Sequence, residues 1–230
     1  MLAAAGWAFL AASSLLFGAV LALRGSVSRR HVGEAMGFGA GALVGSLAYE
    51  LIPEAHVSDV KIWVSFGIGA VIFYVADGLL TRRSSSDGSQ GLEIALGALL
   101  DGVPESLVLG IGLAVGGSIS VGFLVAVFVS NIPESLSSAA QMRTTRTPAA
   151  IYRLWFAIAV ASSIAGGLGY LAATALPERD GRYVQAFAAG AVLTMLADSM
   201  FPEAFEEGGR VVALLTALGF AIAALLTTLE

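Results

Sequence analysis

GFGAGALVGSLAYELIPEA at residues 37–55 aligns without a gap on AFAAGAVLTMLADSMFPEA at residues 186–204. Phe38, Ala40, Gly41, Ala42, Leu47, Ala48, Pro53, Glu54 and Ala55 recur as Phe187, Ala189, Gly190, Ala191, Leu196, Ala197, Pro202, Glu203 and Ala204. Two apolar stretches share Ala and Gly by chance. A common Pro-Glu-Ala ending at constant register marks an internal repeat. Each copy is a continuous apolar run of the length that crosses a bilayer as a helix.

The rest of the chain reads the same way. Of 230 residues, 57% are hydrophobic and 13% charged, against about 25% charged in a soluble domain. The mean hydropathy is +0.84, so the chain has more apolar surface than one water-soluble core hides, and an integral membrane protein is predicted. A window of about 20 apolar residues finds eight spans, at about 2–23, 35–53, 60–81, 92–115, 118–142, 150–176, 183–202 and 210–229. Short polar connections such as RGSVSRRHVGE, RRSSSDGSQG and PERDGR separate them, and no segment is left for a soluble domain. The first span lacks a basic flank and has too long an apolar run for a signal peptide, so it reads as a retained helix. The two-residue alternation of a membrane β-barrel is missing. A net charge of −5 without a long Lys/Arg run excludes a basic nucleic-acid surface. With no cysteine, a disulfide framework, a thiol nucleophile and a zinc-finger or iron–sulfur site are excluded.

Orientation follows the basic residues. With the N-terminus outside, the inner ends take Arg24, Arg29, Arg30, Arg82, Arg83, Arg143, Arg146, Arg153 and Arg210, and the outer ends only Lys61, Arg179 and Arg182. This places both termini outside the cytoplasm. The aligned second and seventh spans then run in opposite directions, so spans 1–3 (about 2–81) and 6–8 (about 150–229) form inverted repeats around a central pair at about 92–142. The expectation is one transmembrane domain over residues 1–230, all-α, in a 3+2+3 arrangement. Inverted repeats are a transporter signature, with the binding site near the midplane.

The central pair carries the chemistry. Span 4 contains ALLDGVPESLVLGIGL and span 5 AVFVSNIPESLSSAAQ. Each has a mid-span proline, which removes one backbone hydrogen bond and displaces the carbonyl four residues earlier, here Leu100 and Val129. Asp101 and Glu105 are four apart and share a helix face. Glu134 takes the place of Glu105 in the second motif, with Ser130 and Asn131 a turn before it. An ionised carboxylate inside a bilayer costs at least ~2.5 kcal/mol on insertion scales, and neither span contains Lys, Arg or His. Protons or a bound cation are the remaining neutralisers. Oxygen ligands suit hard or borderline divalent ions.

These features resemble the ZIP (Zrt/Irt-like) metal-ion transporters. The most specific parts of the resemblance are DGVPES at 101–106, SNIPES at 130–135 and ELIPEA at 50–55. The resemblance implies a metal site between spans 4 and 5 and divalent-metal import toward the cytoplasm. The family's span-4 motif His-Asn-x-Pro-Glu-Gly appears as Asp101, Gly102, Pro104, Glu105 and Ser106. Its span-5 His-Glu-x-Pro followed by His or Glu appears as Ser130, Asn131, Pro133 and Glu134, and its span-2 His as Glu50. The resemblance thus implies metal ligands among Asp101, Glu105, Glu134, Glu50, Asn131 and Ser130, with the family's imidazoles replaced. The metal, zinc, manganese or iron(II), is cargo, and no prosthetic group is expected. Loss of nitrogen ligands shifts the expectation toward manganese or ferrous iron.

Other residues have weaker readings. Asp198 lines the path or makes an interhelix contact; Asp77 and Glu93 are inner-exit ligands or solvated helix ends. Glu54 and Glu203 are solvated or capping, with metal recruitment by Glu54 and His56 as the alternative. His31 is a surface residue. Gly37, Gly41 and Gly45 form a small-residue packing face. No HExxH or Gly-x-Ser-x-Gly occurs, so an enzyme is not expected. The partners expected are divalent ions, the lipid bilayer of the cell membrane and a second copy in a homodimer, with no nucleic acid. The alternative to transport is a divergent relative that keeps the fold and binds ions structurally or regulates.

Overall fold

The structure is a computed structural model that describes residues 1–25, 28–51, 58–87, 90–175 and 178–227, and their side chains except at 51, 80–87, 90–96 and 178–180. Glu54 and His56, and the side chain of Glu93, lie outside this set. The described chain is helical throughout: α1 (Leu2–Arg24), α2 (Arg29–Ser46), α3 (Val60–Asp87), α4 (Gln90–Gly116), α5 (Val121–Met142), α6 (Pro148–Thr174), α7 (Glu178–Met195), α8 (Phe201–Gly208) and α9 (Val211–Thr227). Local chemistry sets several ends. Ser120 starts α5 by accepting the Phe123 N–H at 3.0 Å. Thr147 starts α6 by accepting the Ala150 N–H at 3.3 Å, with Pro148 in the first turn. Both satisfy donors that a helix start leaves free.

Among the described residues, six helical stretches are long and apolar enough to cross a membrane: Leu2–Arg24, Val60–Leu79, Gly97–Gly116, Val121–Met142, Pro148–Thr174 and Gly181–Gly208. The other two predicted spans are not among these. α2 opens with RRHVGE, which dilutes its hydropathy. The described part of α9, Val211–Thr227, is apolar. The seventh span outruns its predicted end at 202, continuing to Gly208.

A wider, π-helical turn at Leu47–Leu51 ends α2, and a second at Leu196–Met200 joins α7 to α8. Both fall on aligned positions of the sequence repeat, at the same offset of 149 residues. Such turns insert one residue into the helical ladder and recur at functional sites. α7 touches the first turn and α2 the second.

Packing repeats as well. α2 lies on α9 and α3 on α7; α1 lies on both α5 and α6, and α6 on α4. Glycine brings the backbones together. A methyl group on Gly41 of α2 would collide with the Thr216 carbonyl of α9, and one on Gly219 of α9 with the Phe38 carbonyl of α2. In the other pair, Gly190 of α7 faces the Phe66 carbonyl of α3, and Gly69 of α3 the Phe187 carbonyl of α7. Phe38 and Gly41 are the repeat partners of Phe187 and Gly190, and Phe66 and Gly69 stand to Thr216 and Gly219 at an offset of 150. In hydrocarbon this backbone approach carries helix association, because lipid tails are as apolar as the side chains.

At one end, Asp59 ties the approach to α3 onto α7. Its carboxylate accepts the Lys61 N–H and the Tyr183 hydroxyl, both at 2.9 Å, while Ser65 donates to the Tyr183 carbonyl at 2.7 Å. The Lys61 backbone N–H, then the Tyr183 hydroxyl, hold the Asp59 carboxyl below the usual carboxylate range.

Two outcomes follow from this packing. Gly190→Ala and Gly69→Ala each destabilise the protein by the ~1–3 kcal/mol typical of overpacking and lower its unfolding temperature in detergent, whereas Gly67→Ala, with open space around it, leaves that temperature unchanged. A depressed carboxyl pKa stabilises above its unfolded value and loses that contribution as pH falls through the folded one. Asp59→Asn therefore lowers the unfolding temperature at pH 7, and the difference from wild type shrinks as the pH falls through the folded-state pKa of Asp59, checked by thermal melts from neutral to acid pH.

Candidate functional site

Pro104 and Pro133 sit inside α4 and α5, as the sequence predicts, and each presents the next residue's carboxyl to the interior. Glu105 is 2% exposed, and its Oε2 has no hydrogen-bond partner. Asp101, one turn earlier on α4, and Glu134 on α5 are half-buried. The three lie within electrostatic range of one another: Asp101 acts on Glu105, and both act on Glu134. Three further carboxyls act on Asp101, those of Asp77, Glu203 and Asp198. These six acids come from α3, α4, α5, the second π turn and α8.

Hydroxyls accompany them. Ser137 on α5 donates to Glu203 Oε1 at 3.1 Å. Ser162 on α6 is 1% exposed with an unpartnered Oγ, and a methyl on Gly102 would stand 3.0 Å from it. Ser162 therefore faces α4 within a turn of Glu105. Among the described residues, no three Asp, Glu or His side chains are gathered closely enough to hold one metal ion.

The remaining predicted ligands are placed as follows. Ser130 is fully buried, donates to the Val127 carbonyl at 3.0 Å and lies under Gly39 of α2, where a methyl would be 2.8 Å from its Cα. Its hydroxyl is used within its own helix. Asn131 is 3% exposed, and its carbonyl accepts the Ser135 hydroxyl at 2.8 Å. Glu50 is elsewhere. It lies in the π turn that follows α2, where Ser120 donates to its Oε2, Thr227 donates to its Oε1 at 2.9 Å and Gln185 donates to its carbonyl at 3.3 Å. A methyl on Gly122 would lie 2.6 Å from Glu50 Oε1, so the carboxylate rests against the start of α5, where a negative charge complements the helix dipole. Glu50 borders a cavity of about 360 Å³ that also includes Tyr49, Gln185 and Thr227.

Glu203 is the residue that sequence reasoning placed at a solvated helix end and that the structure brings to the acids. The signal was the dipeptide itself. Pro202-Glu203 repeats the Pro-Glu order of 104–105 and 133–134. Asp198 and Asp77 were read as pathway or helix-end residues, and both act on Asp101.

Chemically, the arrangement is a patch of oxygen donors of one sign in a low-dielectric setting, without a basic side chain on α4 from Gly97 to Gly116 or on α5. Such a patch stabilises a cation or protons and repels anions. No family model and no curated protein sequence matches the chain.

The repulsion gives a stability test. Glu105→Gln removes a buried carboxyl that has an unmet oxygen while keeping the side-chain volume. The expected result is a higher unfolding temperature in chelator-treated detergent solution, by the 2–4 °C that about 1 kcal/mol represents in a chain of this size. Ser137→Ala, which strips a donor from Glu203, shifts it downward.

Proposed function

We propose that the chain is a ZIP-like divalent-cation transporter, with eight membrane-crossing segments in a 3+2+3 inverted-repeat arrangement and both termini outside the cytoplasm of a multi-pass cell-membrane protein. The observation that carries the reading is Glu105, a mid-span carboxyl that is 2% exposed and has an unpartnered oxygen beside Asp101 and Glu134. A buried charge of this kind is expensive, and in membrane helices it marks an ion or proton pathway. The two π turns at aligned positions and the duplicated glycine contacts support the repeat.

Asp101, Glu105 and Glu134 bind the ion near the midplane. Asp77, Asp198 and Glu203 line the inner half of the path, and the Glu50 cavity opens outward. The π turns join helices of the two repeats, and rocking of one bundle against the other exposes the site to each face in turn. Carboxylate and hydroxyl oxygens without imidazole favour manganese or ferrous iron over zinc. Protons compete with the metal for the same oxygens, so release is coupled to protonation.

A second reading, a non-transporting relative that binds ions structurally, is favoured by one observation: among the described residues the acids are close without forming a closed ligand set. Uptake into proteoliposomes across Mn²⁺, Fe²⁺, Co²⁺, Zn²⁺ and Cd²⁺ separates the two. Transport predicts saturable uptake of at least one ion, reduced more than tenfold in both Glu105→Ala and Glu134→Ala and weakened by acidifying the uptake buffer. Flat traces for every ion from folded wild-type protein overturn it.

A further inference from the structure

The chain segregates its charges. Residues 1–33 and 135–177 contain Arg24, Arg29, Arg30, Arg143, Arg146 and Arg153, and no Asp or Glu. The two arginines that open α2 reach acids elsewhere: Arg30 Nε donates to Glu34 at 2.9 Å, and the charge of Arg29 acts on Glu207. Arg24, Arg143, Arg146 and Arg153 are exposed, and among the described residues none of them forms an ion pair.

These four stand at one end of the molecule. Ala22, Met142 and Ile151, within two positions of Arg24, Arg143 and Arg153, belong to one buried core. Arg143 lies across the last turn of α1, where its Nη1 donates to the Ala22 and Gly25 carbonyls at 3.2 Å each. Its other guanidinium N–H groups make no hydrogen bond among the described residues. Arg146 follows in the next turn, its backbone N–H on the Met142 carbonyl at 2.8 Å. Arg153 stands in the second turn of α6.

Two of the arginines also end exposed apolar faces. On α1, Leu10, Phe17 and Arg24 recur every seven residues, about two turns, and so share a face. On α6, Arg153, Phe156, Val160 and Ile164 follow the spacing of three and four residues that keeps to one face. All five apolar residues are exposed. Phe9 and Phe156 meet edge to face with ring centroids 6.3 Å apart, so the outer surfaces of α1 and α6 adjoin.

We propose that this corner binds an anionic phospholipid, its headgroup phosphate among Arg24, Arg143, Arg146 and Arg153 and its acyl chains along the Phe17 and Phe156 faces. Charge complementarity and register select that occupant. A guanidinium offers a planar fork that matches two phosphate oxygens, and no carboxylate of α1, α6 or the α5–α6 turn competes for it. A zwitterionic headgroup carries its own ammonium and leaves the arginines unneutralised. A soluble anion meets the arginines but not the apolar faces that lead up to them.

The test titrates the full chain in detergent with phosphatidylglycerol or phosphatidylcholine of identical acyl chains and counts adducts by native mass spectrometry. It needs no transport, so its outcome is independent of the function proposed above. Phosphatidylglycerol is expected to bind the wild type at least about fivefold more tightly, the contribution of one arginine near an anionic surface. The combined variant Arg24→Gln, Arg146→Gln and Arg153→Gln, which spares the Arg143 tie to α1, abolishes that preference. Arg153→Gln alone weakens it. Arg29→Gln with Arg30→Gln, at α2, leaves it intact. Equal binding of the two lipids by wild type, or an equal loss from the α2 pair, overturns the proposal. So does displacement of phosphatidylglycerol by millimolar inorganic phosphate, which makes the corner a site for free anions.

Discussion

Helices surrounded by lipid gain little by hiding apolar side chains from their solvent, so what joins them is close contact between backbones. Everything else in this chain rests on that constraint. Gly41 against Thr216, Gly219 against Phe38, Gly190 against Phe66 and Gly69 against Phe187 leave no room for a side chain. The four contacts fix which helices pair and in which register. They hold α2 on α9 and α3 on α7 as matching units, and the π turns that follow in both repeat copies connect the two units.

Against that scaffold the acids are the costly component. Asp101, Glu105 and Glu134 repel one another, and Asp77, Asp198 and Glu203 add to the same field. A fold selected only for stability would replace them with apolar residues of equal volume. Prolines stand beside Glu105 and Glu134 inside the two helices where these charges sit, and a hydroxyl at Ser162 stays unpartnered close by. Buried, unmet polarity therefore gathers around these acids. The two halves are not equal around it. Hydroxyls satisfy Glu50 at one end, while the other end gathers a chain of acids. An apolar cavity of about 330 Å³ lies between α3, α4 and α7.

The helical, membrane-crossing character, the repeat, and the prominence of Glu105 and Glu134 were legible in the residues, because each depends on local composition, on a proline at a countable position or on a motif copied at fixed offset. Ser130 and Glu50 were less legible. A serine's hydroxyl turns to its own helix carbonyl or outward depending on its neighbours, and Gly39 packs over Ser130. Glu50 lies on the repeat's own motif, yet its carboxylate goes to Ser120 and Thr227, residues 70 and 177 positions away. Glu203 was hidden by the opposite error. A Pro-Glu pair near a helix end looks solvated until α8 is seen to bring it to Ser137.

By itself the sequence determined that this chain is built of apolar helices, that part of it is duplicated, and that three acids stand in mid-span without a basic residue to neutralise them. These are properties of short windows, where hydropathy and proline act on the nearest turns. Tertiary structure alone decided which acids share a field, which hydroxyls are used, and where space is left over. Those depend on contacts between residues far apart in the chain, set by glycines whose meaning is supplied by the carbonyl that faces them.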